Sequence, residues 1–299
     1  MRLKNMCKGR LLTSDRIGLL VTLILLALGL ATSNTRADNP ATRVVALGGS
    51  VTEIVFALGE DHRLVARDTT SSFPEAALEL PDVGYIRALS PEGVLSARPD
   101  LIISEEGAGP PDALDLLKSA QVPFVEMPQA RTAEQIAQKI EAVGAALGVP
   151  GKAATLATEV SAELQATAAD IAASDQPRPR VLFLLSTQGG RLMASGTDTA
   201  ADAIIRLAGG DNAISTFEGY KSVTAEAIAT AAPDVILMMD RAGDHASSDA
   251  ELFEMPALRT TPAAQEKAVV RMDGLLLLGF GPRTAQAVRT LHSALDAAG

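Results

Sequence analysis

Tryptophan is absent from the 299-residue chain, and cysteine, tyrosine and histidine are scarce, with one, two and three residues respectively. The single cysteine, Cys7, excludes an internal disulfide and a thiolate metal cage. The histidines, His62, His245 and His292, are scattered and have no carboxylate companions at ligand spacing. A histidine-rich zinc or manganese site therefore has little support.

Basic residues are fewer than acidic ones: the chain has 26 Lys and Arg and 36 Asp and Glu, which gives a formal net charge of -10 at pH 7. Such a chain is poorly suited to holding nucleic acid through its phosphates, so we predict no nucleic-acid partner. Hydrophobic residues make up 47% of the sequence, which is enough for a sizeable buried core and excludes a disordered chain.

The first 37 residues differ from the rest in charge and hydropathy. They carry six basic side chains and a single acid, Asp15, and the basic start leads into an apolar run over 17–32. With Thr35-Arg36-Ala37 behind the run, the pattern is typical of a secretory signal peptide, 1–37, cleaved after Ala37. An uncleaved membrane anchor is the alternative, but the run is shorter than the roughly 20 residues that span a bilayer. We therefore expect an exported mature protein.

From Arg43 onward, short apolar runs alternate with amphipathic stretches, which is typical of α/β layers with parallel sheets. The first half predicts strands at 43–47, 63–67, 100–104 and 122–127, and helices at 51–58, 91–97 and 112–119. The second half predicts strands at 180–186 and 234–240 and a helix at 199–208.

The two halves also share a repeated motif. GYIRALSPEGVLSARPDLII, residues 84–103, aligns with GYKSVTAEAIATAAPDVIL, residues 219–237, once one residue is dropped between Tyr and Glu. A repeat that occurs only twice indicates two lobes and not a solenoid. We predict an α/β fold of two similar Rossmann-like lobes, 38–150 and 176–299, with a ligand cleft between them.

An Ala-rich region, 132–173, lies between the lobes and has apolar residues at helical spacing, with one break at 148–151. Its second part predicts a helix of roughly 33 Å, at 1.5 Å per residue. We assign 151–175 as a long rigid connecting helix, because a flexible hinge would be rich in Gly and Ser.

The chain's two tyrosines, Tyr85 and Tyr220, stand at the same place in the repeat, so both are expected to approach the cleft. Arg87 follows Tyr85 by two residues, which in an extended segment puts both side chains on one face. A guanidinium beside a phenol favours the phenolate, an anionic ligand suited to ferric iron and known as an axial ligand of haem. The alternative is a Tyr85 ring that packs at a loop and hydrogen-bonds the backbone.

The sequence resembles the periplasmic haem-binding proteins of bacterial haem-uptake ABC transporters, within the wider class that also binds cobalamin and ferric siderophores. The resemblance covers 43–297, and GYIRALSPEG, residues 84–93, carries the pattern that separates haem binders from the other two groups. The segments that carry it are GGSVTEIVFALG (48–59), LPDVGYIRALSPEGVLSARPDLIIS (80–104), GAGPPDALDLLKSA (107–120), TAADAIIRLAGGDNAI (199–214), YKSVTAEAI (220–228) and LLGFGPRTAQAV (277–288).

The resemblance implies that Tyr85 ligates the haem iron and that Arg87 supports this ligand. Some relatives have a His shortly after the strand that corresponds to 181–185 and hold two stacked haems. This chain has Ser186-Thr187-Gln188 there, so we predict a single haem. A ferric siderophore or cobalamin is the alternative ligand of the same class.

The resemblance also implies a place in transport: a periplasmic protein, expected to be a monomer, that delivers haem to an inner-membrane ABC permease and its ATPase. Glu92 and Glu226 stand at the same point of the repeat, and the resemblance implies that they meet arginines on the permease subunits. The alternative is that each carboxylate complements the dipole of its own helix.

Three further residues are weaker candidates for the site. Met193 and Tyr220 are possible contacts at the haem edge, although core packing is the simpler role for Met193. His245, in the loop after strand 234–240, could reach the cleft, and a solvated loop histidine is the alternative.

A secreted hydrolase is the remote alternative, suggested by Ser50 after Gly48-Gly49. The sequence has neither a G-x-S-x-G elbow nor a G-x-x-x-x-G-K-[ST] phosphate loop, so we predict a binding protein and not an enzyme. We expect Ser50 to cap helix 51–58, with Glu53 completing a capping box.

Overall fold

A four-stranded parallel sheet forms the centre of the N-terminal lobe, in the order β2-β1-β3-β4. The computed structural model describes residues 40–240 and 248–298. The strands are β1 (Val44–Leu47), β2 (Leu64–Arg67), β3 (Leu101–Glu105) and β4 (Phe124–Met127), and the helices are α1 (Gly49–Ala57), α2 (Pro91–Ser96), α3 (Pro111–Ser119) and α4 (Ala133–Ala146). These elements follow the predicted order, and β1 and β3 are buried almost throughout.

A mixed sheet forms the C-terminal lobe, in the order β10-β9-β5-β6-β8, with β7 paired to β5. Its strands are β5 (Arg180–Ser186), β6 (Leu192–Ser195), β7 (Asp211–Asn212), β8 (Tyr220–Val223), β9 (Val235–Asp240) and β10 (Val269–Asp273). Its helices are α6 (Ala200–Leu207), α7 (Ala225–Ala231), α8 (Asp249–Glu254), α9 (Pro262–Glu266), α10 (Gly274–Leu278) and α11 (Thr284–Ala298).

This lobe departs from the expected all-parallel sheet, because β6 runs antiparallel to both β5 and β8. The cause is the short connection between β5 and β6, which turns at Gly189 and Gly190, both with positive φ. A parallel neighbour needs a crossover of a dozen or more residues, and this connection is too short for one. The second lobe therefore repeats the first only in its β5, β9 and β10 core, where the pairing is parallel.

The connecting helix, α5 (Pro150–Ala172), has 23 residues, which corresponds to about 34 Å. Its buried stripe, Ala153, Ala157, Val160 and Leu164, recurs at three- and four-residue spacing, as expected for a helix packed along one face. The helix packs on α4 and on α11, which belong to different lobes. The α/β class, the two lobes and the long connecting helix are thus confirmed.

One hydrophobic core continues from lobe to lobe through this helix. It contains Val44 and Ile103 of the first sheet, Val160 and Leu164 of α5, and Phe183 of the second sheet. Both lobes lie within one compact unit, Ala41–Gly299. The domain limits 38–150, 151–175 and 176–299 stay predictions, and the predicted signal peptide, 1–37, lies outside the described residues. In the part of the chain that the structure describes, no helix is both long and apolar enough to cross a membrane.

Candidate functional site

A cavity of about 370 Å³ lies between the two lobes. The N-terminal lobe lines it with residues that follow β3 and β4, and the C-terminal lobe contributes the start of α6 and the start of β8. Sites of α/β proteins collect at the carboxyl ends of parallel strands and at helix N-termini, and both kinds of position meet here. The size is within the range of small-ligand pockets.

Tyr85 is not itself a lining residue of this cavity, although it directly precedes two residues that are, and it is exposed to solvent. The residue is 47% exposed, whereas Ile86 and Arg87, which follow it, line the cavity. The Ala88 N–H donates a 2.7 Å hydrogen bond to the Tyr85 carbonyl, so residues 85–88 form a turn. The expected extended segment at Tyr85 and Arg87 is therefore wrong, and the reasoning that placed the two side chains on one face of a strand does not apply.

Tyr220, the first residue of β8, lines the cavity from the opposite lobe. Its ring packs edge-on against the buried Phe183, with ring centroids 6.2 Å apart. Its hydroxyl hydrogen-bonds the backbone of Ala201 and the side chain of Thr199, at the N-terminus of α6. Tyr220 is thus held by its own lobe, with the phenol directed at the cavity wall.

Burial raises the pKa of the Tyr220 phenol above its ordinary value of 10.0. The hydrogen bonds from Ala201 and Thr199 oppose this rise, and so do the positive charges of Arg87 and Arg131. The phenol is consequently neutral at physiological pH. Arg87 and Arg131 belong to the N-terminal lobe and line the same cavity as Tyr220.

Beneath the cavity, a buried lysine connects the lobes. Lys139 of α4 is 1% exposed and donates hydrogen bonds to Ser50 Oγ at 2.9 Å, to Glu105 Oε1 at 3.1 Å and to the Gly279 carbonyl at 3.3 Å. The Ser50 hydroxyl in turn donates to Glu105 Oε1 at 2.7 Å. These polar partners compensate the buried positive charge of Lys139. The same ion pair balances the negative charge of Glu105, which lines the cavity.

Ser50 therefore does not cap α1. The helix begins at Gly49, its N-cap is Gly48, and no side chain caps it. Glu53 accepts hydrogen bonds from Arg283 of the C-terminal lobe and takes no part in a capping box. The capping prediction was wrong because both side chains bind residues distant in sequence, which local sequence does not show: Ser50 binds Glu105 and Lys139, and Glu53 binds Arg283.

Among the weaker candidates, Met193 lies on β6, where it pairs in register with Ser222 and Ser186, and it is half-buried. His245 lies outside the described residues. His62 is exposed, and the His292 ring contacts the Ala208 carbonyl at 2.9 Å. Within the described ranges, 40–240 and 248–298, no group of three or more His, Cys, Asp or Glu residues is arranged to hold a metal ion.

Glu92 and Glu226 occupy matching positions in the two lobes. Each is exposed in the first turn of a short helix, α2 or α7. The helices are capped by Ser90 and Thr224, whose hydroxyls accept the Gly93 and Ala227 N–H groups at 3.3 and 3.1 Å. At each N-terminus one free N–H group is thus capped by a hydroxyl and not by the carboxylate.

Sequence reasoning missed Glu105, Arg131 and Asp198, which all line the cavity. A signal was present for two of them, since Glu105 ends β3 and Arg131 follows β4 by a few residues, at the ends of adjacent parallel strands. Asp198 gave no such signal, because it precedes α6 in a segment that resembles any helix start.

Residues 44–275 match the family model described as periplasmic binding protein. The chain belongs to the periplasmic binding proteins. Membership of this family implies export from the cytoplasm.

Two solved structures and one curated relative show which members this periplasmic binding protein is similar to. It is 42% identical to the periplasmic heme-binding protein BhuT, solved with two hemes, with 86% of this chain and 98% of that chain covered and a TM-score of 0.81. For the periplasmic heme-binding protein RhuT from Roseiflexus sp. RS-1, solved in the apo form, the identity is 38%, the coverage 87% and 100%, and the TM-score 0.82. It is also 28% identical over 233 residues to the vitamin B12-binding protein of Vibrio parahaemolyticus, with 76% of this chain and 82% of the relative covered.

Proposed function

We propose that this periplasmic binding protein captures ferric haem in the cleft between its lobes and delivers it to an inner-membrane ABC permease. The similarity to heme-binding proteins of known structure, at 38–42% identity over nearly the whole of those chains, supports this ligand. The observation that carries the proposal is the 85–88 turn, which combines an accessible phenol with an arginine that lines the cavity.

Tyr85 is the proposed axial ligand of the haem iron. A phenolate is a hard anionic donor, and tyrosinate ligation of haem iron is well established as chemistry. The residue is 47% exposed and directly precedes two residues that line the cavity, so an incoming planar ligand can reach its oxygen without unfolding the turn. The proposed role of Arg87 is to favour the anionic state of the ligand set, because its guanidinium lines the same cavity.

Tyr220, Met193 and His245 have proposed supporting roles. Tyr220 contacts the haem edge from the opposite lobe as a neutral phenol, since burial raises its pKa. Met193 of β6 contacts the haem edge by packing, and His245, which lies outside the described residues, is proposed as a further ligand contact. None of the three is needed as the principal iron ligand.

Delivery depends on Glu92 and Glu226, which we propose meet arginines on the two permease subunits, with the ATPase driving transport. Their exposure and their matching places in the two lobes support the proposal. The protein is proposed to act as a monomer in the periplasm, after signal peptide cleavage near Ala37, and to have no catalytic activity.

Cobalamin is the second candidate ligand, because the curated relative at 28% identity binds vitamin B12 by its name. Titration of the apoprotein with hemin, cobalamin and a ferric siderophore, followed by absorption, separates the candidates. We expect saturation by hemin at one equivalent, since Ser186-Thr187-Gln188 offers no histidine after β5. Saturation by cobalamin or by the siderophore without a hemin response contradicts the proposal, and saturation at two equivalents contradicts the single-haem prediction.

A further inference from the structure

An ion pair crosses the cavity from one lobe to the other. Arg131 follows β4 in the N-terminal lobe, and its guanidinium donates to a carboxylate oxygen of Asp198, which precedes α6 in the C-terminal lobe. Both residues line the cavity. The pair therefore occupies space that a ligand between the lobes would share.

The two partners are held very differently. The Arg131 guanidinium also donates to Gln129 Oε1 at 3.0 Å, and the Arg131 backbone N–H donates to Gln135 Oε1 at 2.8 Å. The Arg131 side chain is 33% exposed, whereas the Asp198 side chain is 67% exposed. Ion pairs that face water contribute little to stability, so exchanging Asp198 for another carboxylate costs little.

The remaining charges of the cavity favour Arg131 as the place for an anionic group. Apart from Asp198, the acids that line the cavity are Glu105 and Glu106. Glu105 is paired with the Lys139 ammonium group, and Glu106 accepts the Gln129 N–H at 3.2 Å. Arg87, which also lines the cavity, is the second cation. A ligand with carboxylates is thus attracted to the arginine side of the cavity and away from Glu106.

We propose that Arg131 is the carboxylate-binding residue of the cleft and that Asp198 occupies its guanidinium until a ligand carboxylate replaces it. This inference rests on the proposed function, because haem carries two propionate carboxylates. A guanidinium binds a carboxylate with two parallel hydrogen bonds, which gives orientation as well as affinity. Arg131 thereby sets which edge of the haem enters the cleft first, and Asp198 sets how strongly the ligand must compete.

Titration with hemin and with hemin dimethyl ester, which lacks free carboxylates, tests the assignment. We expect the wild-type protein to bind hemin about tenfold or more tightly than the ester. Arg131→Gln should lose this preference by weakening hemin binding while leaving the ester affinity unchanged. Asp198→Asn should bind hemin several-fold more tightly, and Asn accepts the positive φ of 57° at this position.

Arg259→Gln, an exposed arginine outside the cavity, is the matched control and should behave as wild type. Circular dichroism melting of each variant separates loss of fold from loss of binding. A wild-type ester preference that persists in Arg131→Gln overturns this inference alone, as does weaker hemin binding by Asp198→Asn. Failure of the wild-type protein to bind hemin overturns the proposed function and this inference together.

Discussion

Lys152, in the first turn of the connecting helix α5, donates a 2.6 Å hydrogen bond to the carboxylate of Glu60 in the N-terminal lobe. A positive side chain is unfavourable at a helix N-terminus, and the carboxylate offsets it there. Glu60 is 6% exposed and also accepts a 3.0 Å hydrogen bond from the buried Arg63. One carboxylate therefore fixes the start of the helix that joins the lobes.

Glu60→Gln should lower the free energy of unfolding by about 1–3 kcal/mol at pH 7, because a charged hydrogen-bond acceptor is lost from a buried site. The hydrogen bond from Lys152 lowers the pKa of Glu60 below its ordinary value of 4.5, with burial opposing and Arg63 adding to the decrease. Since the folded-state pKa lies below the unfolded value, the stabilisation is present above pH 4.5 and is lost as the pH falls through the folded-state pKa.

Urea unfolding of wild type and Glu60→Gln at several pH values between neutral and acid measures this difference. The gap between the two proteins should narrow steadily below pH 4.5. Glu159→Gln, an exposed carboxylate on the same helix, serves as control and should leave stability almost unchanged at every pH. A gap that is independent of pH would show that Glu60 acts through packing and not through its charge.

Tyr85→Phe should remove the tyrosinate charge-transfer band of the hemin complex and weaken hemin binding by at least about tenfold, equal to about 1.4 kcal/mol. Tyr220→Phe is the matched variant and should keep the band, because its phenol stays neutral at physiological pH. Absorption spectra of both complexes at neutral pH decide the case. Loss of the band in Tyr220→Phe with its retention in Tyr85→Phe would assign the iron to the other lobe.

Replacing both Glu92 and Glu226 by Ala should reduce haem uptake by cells several-fold while hemin affinity in vitro stays within about twofold, because charges at an interface rim mainly set encounter rate and register. Asp112 and Glu134 are exposed acids in the first turns of α3 and α4, so replacing both by Ala controls for the loss of helix-terminal charge. Equal uptake by the two double variants contradicts docking through Glu92 and Glu226.

Hemin binding should change the radius of gyration of the protein very little. The connecting helix packs on both lobes, and Glu53 and Arg283 pair across the interface behind the cleft. Large hinge closure would break this pairing, so capture is expected to shift the lobes only slightly. Small-angle scattering of the apoprotein and of the hemin complex provides the measurement, and marked compaction on binding is the contrary result.

The N-terminal sheet and the connecting helix could be predicted because their signals are local. Buried strands such as β3 are continuous apolar runs, and α5 shows an apolar stripe at helical spacing. Strand β8 could not be predicted, since its four residues form a strand only by pairing with β6. The repeat also suggested that Tyr85 and Tyr220 lie in the same kind of local structure, whereas Tyr85 begins a turn and Tyr220 begins a strand.

The site was predictable in part for a related reason. Tyr220 could be found from its place in the repeat and Arg87 from its spacing after Tyr85, and both line the cavity. Lys139 could not, because a lysine within an amphipathic helix is normally read as solvent-facing, and here it is 1% exposed. Its partners Ser50 and Gly279 are 89 and 140 residues away in sequence, so only the tertiary fold reveals why the charge is tolerated.

The continuous core that runs through α5 has a consequence for redesign of this protein. Both walls of the cleft are brought into position when the chain folds, so a ligand meets a preorganised surface and loses little affinity to ordering the protein. Ligand recognition then depends on the side chains that line the cleft and not on a closing motion of the lobes. A designer who wants the scaffold to accept a different tetrapyrrole can therefore exchange wall residues such as Asp198 one at a time and read each effect separately.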